Sequence, residues 1–154
     1  MVNGEAALYF AVLRRSVEHL LRTLDGIDSE GLNWHPPVED GNSLYVLTVH
    51  TLANIERNVL HHFGGQAYDW RREEEFAARG EDSESLQEQW AQLEPKLLAL
   101  LDSATAADLD SLYEHPNMGQ VQGRAVLMRA VTHAREHLGQ AQLTRDWWDA
   151  QANR

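Results

Sequence analysis

The stretch 126–150, VLMRAVTHAREHLGQAQLTRDWWDA, decides the fold of this 154-residue chain. Its apolar and small residues recur at three- and four-residue spacing, which predicts an amphipathic helix from about Gln122 to Ala150. His133 and His137 lie in this apolar stripe, where a core-facing helix ordinarily carries leucine or valine. A polar group in such a position costs free energy unless something satisfies it, so this pair needs a partner.

Three more segments have the same spacing, and the four together predict an all-α fold, a four-helix bundle. These segments are 5–25, 43–62 and one that begins near Ser83 or Ser85. Ser43 is a good N-cap for the second, and Ser85 with Glu88 has the spacing of a capping box in the third. Pro95 should kink the third helix or remove one backbone hydrogen bond. We expect residues 1–154 to form a single domain.

The connections between these helices are long, about 15 to 20 residues, so loop length does not decide which helices are antiparallel. The first connection, 28–42, is polar and contains adjacent prolines at 36 and 37, which forbid a continuing helix. The second, from about Tyr68 to Asp82, is charged and has room for a turn or two of helix. Its acidic run 73–75 is typical of a solvated face.

Composition excludes several classes of protein. Apolar residues make up 43% of the chain, which argues against a disordered protein. The formal charge of −11 argues against nucleic acid and against anionic membranes as partners. No apolar run is long enough for a membrane helix, and the first residues do not resemble a secretory signal, so we expect a cytoplasmic protein. The absence of cysteine excludes disulfides, thiolate ligands and a cysteine nucleophile.

Metal binding is the most specific chemistry that the histidine pair suggests. Residues four apart on a helix lie about 40° apart in azimuth and one turn apart in height, so two imidazoles can reach one ion. The alternative is a pair of histidines hydrogen-bonded to neighbouring groups. A catalytic metal usually has three protein ligands, and His50 in the second helix is the best third candidate, unless it is a boundary histidine without a role.

The sequence positions of the remaining histidines give weaker evidence for metal binding. His61 has nearly the azimuth of His50 but lies about 16 Å further along the helix axis, too far to share an ion. His61 and His62 are expected to be helix-terminal residues that the helix dipole favours, and His19 to be solvated. His35 and His115 each precede a proline, so we expect them in turns.

The segment His133-Ala-Arg-Glu-His137-Leu-Gly-Gln140, followed by Arg145, resembles the last-helix signature of the DinB/YfiT-like family. The stretch 32–36, Leu-Asn-Trp-His-Pro, with Ser43, His50 and Glu56-Arg57 after it, resembles the second-helix region of the same family. The similarity extends over about residues 8 to 148.

This resemblance implies an up-down-down-up bundle in which the linker 63–82 crosses from one end to the other. It implies one divalent metal, nickel or zinc, held by three histidines that correspond to His50, His133 and His137. Family members are often homodimers. Some are transferases or isomerases that use low-molecular-weight thiols, and others are called hydrolases.

The function hypothesis is therefore a metal-dependent enzyme of thiol S-transferase or hydrolase type, with a metal-bound water or thiolate and a small-molecule substrate. Gln140, one turn after His137, is a candidate for orienting a ligand, and Asn54, one turn after His50, is a second. Glu136 points about 100° away from His137 and is a poor candidate for a general base. The alternatives are a non-catalytic metal-binding or stress-associated bundle and a metal-free bundle that works by dimerising.

Overall fold

A computed structural model describes residues 4–152, which are mostly helical with one small β-hairpin. The elements are α1 (Gly4–Arg22), α2 (Ser29–Leu32), α3 (Leu44–Ile55), a π-helical segment (Glu56–Phe63), α4 (Arg72–Ala77), α5 (Glu84–Ser103), α6 (Ala106–Asp110), β1 (Leu112–His115), β2 (Gly119–Gln122) and α7 (Gly123–Ala152). The predicted all-α class is confirmed.

The long helices enclose two clusters of buried apolar side chains. Helix α7 packs along both α1 and α3, and α5 packs against the other side of α1. Leucines that are less than 1% exposed fill the space between them: Leu13, Leu20, Leu44, Leu52, Leu97, Leu101 and Leu127. The up-down-down-up order of helix directions stays a prediction. In the described range 4–152, no helix has both the length and the apolar character to cross a membrane.

The second predicted helix begins as expected but changes its winding halfway. The side-chain oxygen of Ser43 accepts a hydrogen bond from the backbone N–H of Val46 at 3.2 Å, so Ser43 is the N-cap. After Ile55 the chain continues as a π-helix, whose hydrogen bonds join residues five apart rather than four. The azimuth assigned to His61 from α-helical spacing was therefore wrong, because each turn of the π-helix holds more residues.

The third long helix starts at one of the two predicted serines, but without the predicted capping box. Its N-cap is Ser83, which makes no side-chain capping bond, and the hydroxyl of Ser85 instead lies 3.0 Å from the hydroxyl of Tyr45. The predicted capping box at Ser85 was wrong. A capping box does form at α6, where Thr105 and Asp108 exchange side-chain and backbone hydrogen bonds. Helix α5 continues through its internal proline.

The charged linker holds a helix, as its composition allowed, but not a wholly solvated one. Glu73 and Glu74 are exposed, whereas Glu75 in the same turn is only 6% exposed. The interpretation of the acidic run as a solvated face was therefore wrong for Glu75. The reason lies in the tertiary structure, because α4 packs against α3 and one side of α4 is buried in this contact.

The β-hairpin 112–122 had no strong signal in the sequence. Strands β1 and β2 pair antiparallel, with His115 opposite Gly119. Gly119 has a φ of +69°, a conformation that glycine adopts without steric cost. His115 was predicted in a turn; it ends β1, its carbonyl accepts from the backbone N–H of Met118 in the turn that follows, and its side chain is only 5% exposed.

Candidate metal centre

Helices α3 and α7 bring the three predicted histidines together. The Nε2 atom of His50 lies 3.1 Å from Nε2 of His133, and that atom lies 3.2 Å from Nε2 of His137. One ligand atom from each histidine lies within 4.8 Å of both others, a group that could hold a metal ion. The i,i+4 spacing on α7 supplies two of the rings, and the packing of α3 on α7 supplies the third.

These distances fit a tetrahedral ion. Zinc–nitrogen bonds of about 2.0–2.1 Å at tetrahedral angles place two donor nitrogens roughly 3.3 Å apart. The two separations in the structure, 3.1 and 3.2 Å, are close to that value. His50 and His133 are each 6% exposed, and His137 is partly exposed, so the group is anchored in the core and open on one side.

Hydrogen bonds on the opposite ring nitrogens set the orientation of two of the rings. Nδ1 of His50 donates to Oε2 of Glu75 at 2.7 Å, and Nδ1 of His137 donates to Oε1 of Gln140 at 2.7 Å. A carboxylate or amide oxygen accepts, so the proton is on Nδ1 and the lone pair is on Nε2. This contact of Gln140 turns the lone pair of His137 toward the centre of the group, and the predicted role of Gln140 in orienting a ligand stays a prediction.

The three imidazole rings cannot satisfy all of their hydrogen-bonding groups with one another. The Nε2 lone pairs of His50 and His137 both face Nε2 of His133, which can donate at most one proton. Nδ1 of His133 is buried without a hydrogen-bond partner. A cation among the three Nε2 atoms would satisfy every lone pair, so the donor set fits a metal better than it fits a hydrogen-bonded cluster.

Burial keeps the imidazoles of His50 and His133 neutral. Desolvation lowers the pKa of His50, and it outweighs the opposing effect of the hydrogen bond that His50 donates to Glu75. Desolvation, together with the charges of His137 and His50, lowers the pKa of His133 to about 3. Neutral imidazole is the form that ligates metals, so the folded protein holds the ligands ready at neutral pH.

Glu75 is the residue of the site that sequence reasoning missed. Its Oε1 lies 3.8 Å from Nη1 of Arg57, and Phe76, next to it, places its ring 4.9 Å from the ring of His50. The linker helix therefore forms the outer wall of the group and delivers the carboxylate that orients His50. An acidic run gives no local sign of this role, because only the docking of α4 decides which of its carboxylates is buried.

The histidines line a cavity of about 640 Å³ between α7, α3, the π-helical segment and the linker. Asn54, Glu136 and Gln140 also line it. The side chain of Asn54 does not orient His50; its oxygen accepts from Nδ2 of Asn58 at 3.0 Å. The volume is large enough for a small organic molecule.

The far end of the cavity carries a second pair of histidines, His62 and His115, whose rings lie 4.8 Å apart. Nδ1 of His115 accepts from the backbone N–H of Asn117 at 3.2 Å, so Nε2 carries the proton and donates to Oδ1 of Asn58 at 2.9 Å. Nε2 of His62 is buried without a partner. His62 was predicted as a helix-terminal residue, and its cavity-lining position was not foreseen.

The rest of the last-helix motif is structural. Nη1 of Arg145 donates to the backbone carbonyls of Thr23 at 2.7 Å and Asp25 at 3.0 Å. These contacts satisfy carbonyls at the end of α1, which have no partners within the helix. Trp34 packs its ring 5.7 Å from that of Trp148 and fastens the first loop to the end of α7.

The buried histidines should make the metal-free protein acid-sensitive. Burial lowers the pKa of His62 to about 4, whereas an unfolded histidine titrates near 6.5. Between these values the unfolded chain binds more protons than the folded one, so stability falls as pH falls from about 6.5 to 4. We expect the urea midpoint, followed by tryptophan fluorescence, to fall over this range, and to fall less in His62→Gln. The control His35→Gln, at an exposed loop histidine, should keep the full slope; an unchanged slope in His62→Gln would contradict the assignment.

Comparisons with known proteins give a family match and solved structures with a similar fold. The family model described as the DinB superfamily matches residues 12–141. None of the curated proteins gives a significant match. A conserved protein from Enterococcus faecalis aligns with a TM-score of 0.70 at 20% identity, over 90% of this chain and 94% of that one.

Two further solved structures share the fold. A DinB-like protein from Bacillus cereus aligns with a TM-score of 0.68 at 15% identity, over 88% of this chain and 87% of that one. A DinB-like protein from Bacillus subtilis aligns with a TM-score of 0.61 at 22% identity, over 94% and 91% of the two chains. With a family match across most of its length, a helical bundle and a three-histidine group between α3 and α7, the chain belongs to the DinB superfamily.

Proposed function

We propose that this chain is a metal-dependent enzyme, of thiol S-transferase or hydrolase type, that acts on a small molecule bound in the 640 Å³ cavity. The observation that supports this is the position of the donor group. His50, His133 and His137 lie on the wall of the cavity rather than in a closed core. Structural metal sites are closed, whereas catalytic sites keep a coordination position open to substrate.

The residues around the cavity have two roles, metal ligation and orientation of the ligating rings. The three histidines would hold the ion, while Glu75 and Gln140 fix the ring orientations of His50 and His137. When bound, a divalent ion would supply a Lewis acid that lowers the pKa of a coordinated water or thiol. Three neutral nitrogen donors suit zinc or nickel and leave the charge of the ion intact. A thiol cofactor and a homodimer remain predictions.

The chain itself offers no cysteine for covalent catalysis, so the reaction should depend on the ion. The test starts from protein purified without an affinity tag, with its metal measured by elemental analysis. The metal-loaded protein is screened for transfer of small thiols and for hydrolysis of esters and amides. We expect turnover to disappear on chelation and to return when the metal is restored.

The outcomes separate the candidate functions. Full activity in the metal-free protein would rule out this proposal. One metal per chain without turnover of any thiol or hydrolysable substrate would favour the non-catalytic metal-binding bundle. Failure to bind any divalent metal would leave the metal-free bundle as the remaining alternative.

A further inference from the structure

The cavity has a charge pattern unlike that of the chain as a whole. The chain carries a formal charge of −11, yet three arginines line the cavity against two carboxylates, those of Asp40 and Glu136. The arginines are Arg57, Arg72 and Arg129. The lining histidines add no negative charge, so the residues that line the cavity carry one more positive than negative charge in an acidic protein, and the carboxylate of Glu75 lies behind Arg57.

Arg57 is a largely buried cation, and one nitrogen of its guanidinium has no hydrogen-bond partner. Its side chain is 11% exposed, and its Nη1 atom is buried without a hydrogen-bond partner. The nearest carboxylate oxygen, Oε1 of Glu75, is 3.8 Å away, and the ring of Trp70 covers the guanidinium at 4.6 Å. A guanidinium has five N–H donors, and leaving them unpaired in a buried place is costly.

Arg129 lies one turn before His133 on α7 and lines the same cavity. Within residues 4–152 it has no hydrogen bond or ion pair with another side chain. Its charge and that of Arg57 also lower the pKa of His133 and of His115, for both of which desolvation is the main cause, and all four residues line the cavity. Nε2 of His62, buried without a partner, faces this region too.

Pairing of Arg57 with Glu75 alone does not explain this arrangement. A shift of under one ångström would close the 3.8 Å gap and satisfy one donor of Arg57. It would leave Arg129 and Nε2 of His62 as they are. In the part of the chain that the structure describes, all four unpartnered buried side-chain atoms belong to this region: Arg57 Nη1, His62 Nε2, Glu75 Oε1 and His133 Nδ1.

We propose that the cavity recognises ligands that carry an oxyanion, a carboxylate or a phosphate, and that Arg57 and Arg129 bind this group. His62, which lines the same cavity, completes the proposed site as a hydrogen-bonding partner. Arginine suits this role because its planar fork matches the two oxygens of a carboxylate or phosphate. The exposed rims of Trp70 and Phe76 offer aromatic surface to the rest of the ligand. This inference rests on the proposed function in taking the cavity as the substrate site, and it names the substrate class.

The experiment uses the whole chain in its metal-free form, so that binding reports the arginines rather than an ion. Benzoate and benzamide have the same shape and differ in charge, and phenyl phosphate tests the other oxyanion. We expect benzoate to bind saturably and at least about tenfold more tightly than benzamide, as measured by calorimetry or by NMR shifts. Arg129→Gln and Arg57→Gln should each weaken benzoate binding about tenfold or more, since a charge-assisted bond is lost.

Arg135→Gln, at an exposed arginine on the same helix that does not line the cavity, is the matched control and should bind benzoate like the unchanged protein. Tighter binding of phenyl phosphate than of benzoate would assign the site to phosphate; the reverse would assign it to carboxylate. Equal binding of benzoate and benzamide, no binding of either oxyanion, or unchanged binding in Arg129→Gln would overturn the proposal.

Metal titration of the same proteins separates the two proposals. Arg129→Gln should still take up metal like the unchanged protein, because Arg129 is not a donor. If the unchanged protein binds benzoate but no metal, the oxyanion site stands and the metal-dependent function fails. If it binds metal but discriminates no anion, the opposite holds. Arg129→Gln keeps the test valid even if Arg57→Gln, which lies beside Glu75, disturbs the fold.

Discussion

Replacing His133 by alanine is expected to abolish stoichiometric metal binding. His133 is the central member of the group, because its Nε2 atom lies 3.1 Å from that of His50 and 3.2 Å from that of His137. Without it two nitrogen donors remain, fewer than the three that zinc sites in enzymes ordinarily have. His137→Ala should have the same effect. Elemental analysis after dialysis, and calorimetric titration with zinc and nickel, measure the stoichiometry.

The control for this prediction is His19→Ala, on α1 outside the cavity, which should bind one metal per chain. Circular dichroism establishes that each variant is still helical, so that lost binding is not lost folding. Full metal occupancy in His133→Ala or His137→Ala would show that the replaced residue is not a ligand.

Glu75→Gln is expected to lower metal affinity about 10–100-fold, the usual effect of losing an outer partner of a ligating histidine. Glutamine keeps the shape of the side chain and can still accept from Nδ1 of His50, but it removes the negative charge that raises the basicity of the ring. The 2.7 Å hydrogen bond between two side chains that are each 7% exposed makes this charge effective. Competition with a chromogenic chelator measures the affinity.

Glu73→Gln provides the matched control, since Glu73 is exposed on the same short helix and should leave the affinity unchanged. Equal affinities for Glu75→Gln and the unchanged protein would mean that Glu75 packs against His50 without tuning it. A lower affinity in Glu73→Gln as well would point to the general charge of the linker rather than to the specific contact.

The histidine pair on α7 could be predicted from the sequence because its signal is local. Two histidines four apart in the apolar stripe of a long helix face one point whatever the rest of the chain does. His50 needed the family resemblance in addition, because its partner helix is distant in sequence and nothing local distinguishes a ligand from a boundary histidine. The structure brings it to the other two, and Gln140 lies where one helical turn places it.

The outer half of the site could not be predicted. Glu75 belongs to an acidic run of the kind that is usually solvated, and Arg57 and His62 lie on a π-helix whose winding has no reliable sequence signature. His115 was expected in a turn because a proline follows it, but a hairpin buries it against Asn58.

The sequence by itself determined the helical class, the extent of α7 and the histidine pair, because helical periodicity is a property of neighbouring residues. Only the tertiary structure decided which linker carboxylate lies against His50 and which arginines line the cavity. Those positions depend on how α4 docks on α3 and how the π-helical segment turns its side chains. Burial of a charged group is settled by contacts between distant segments, and a single sequence does not record those contacts in its local pattern.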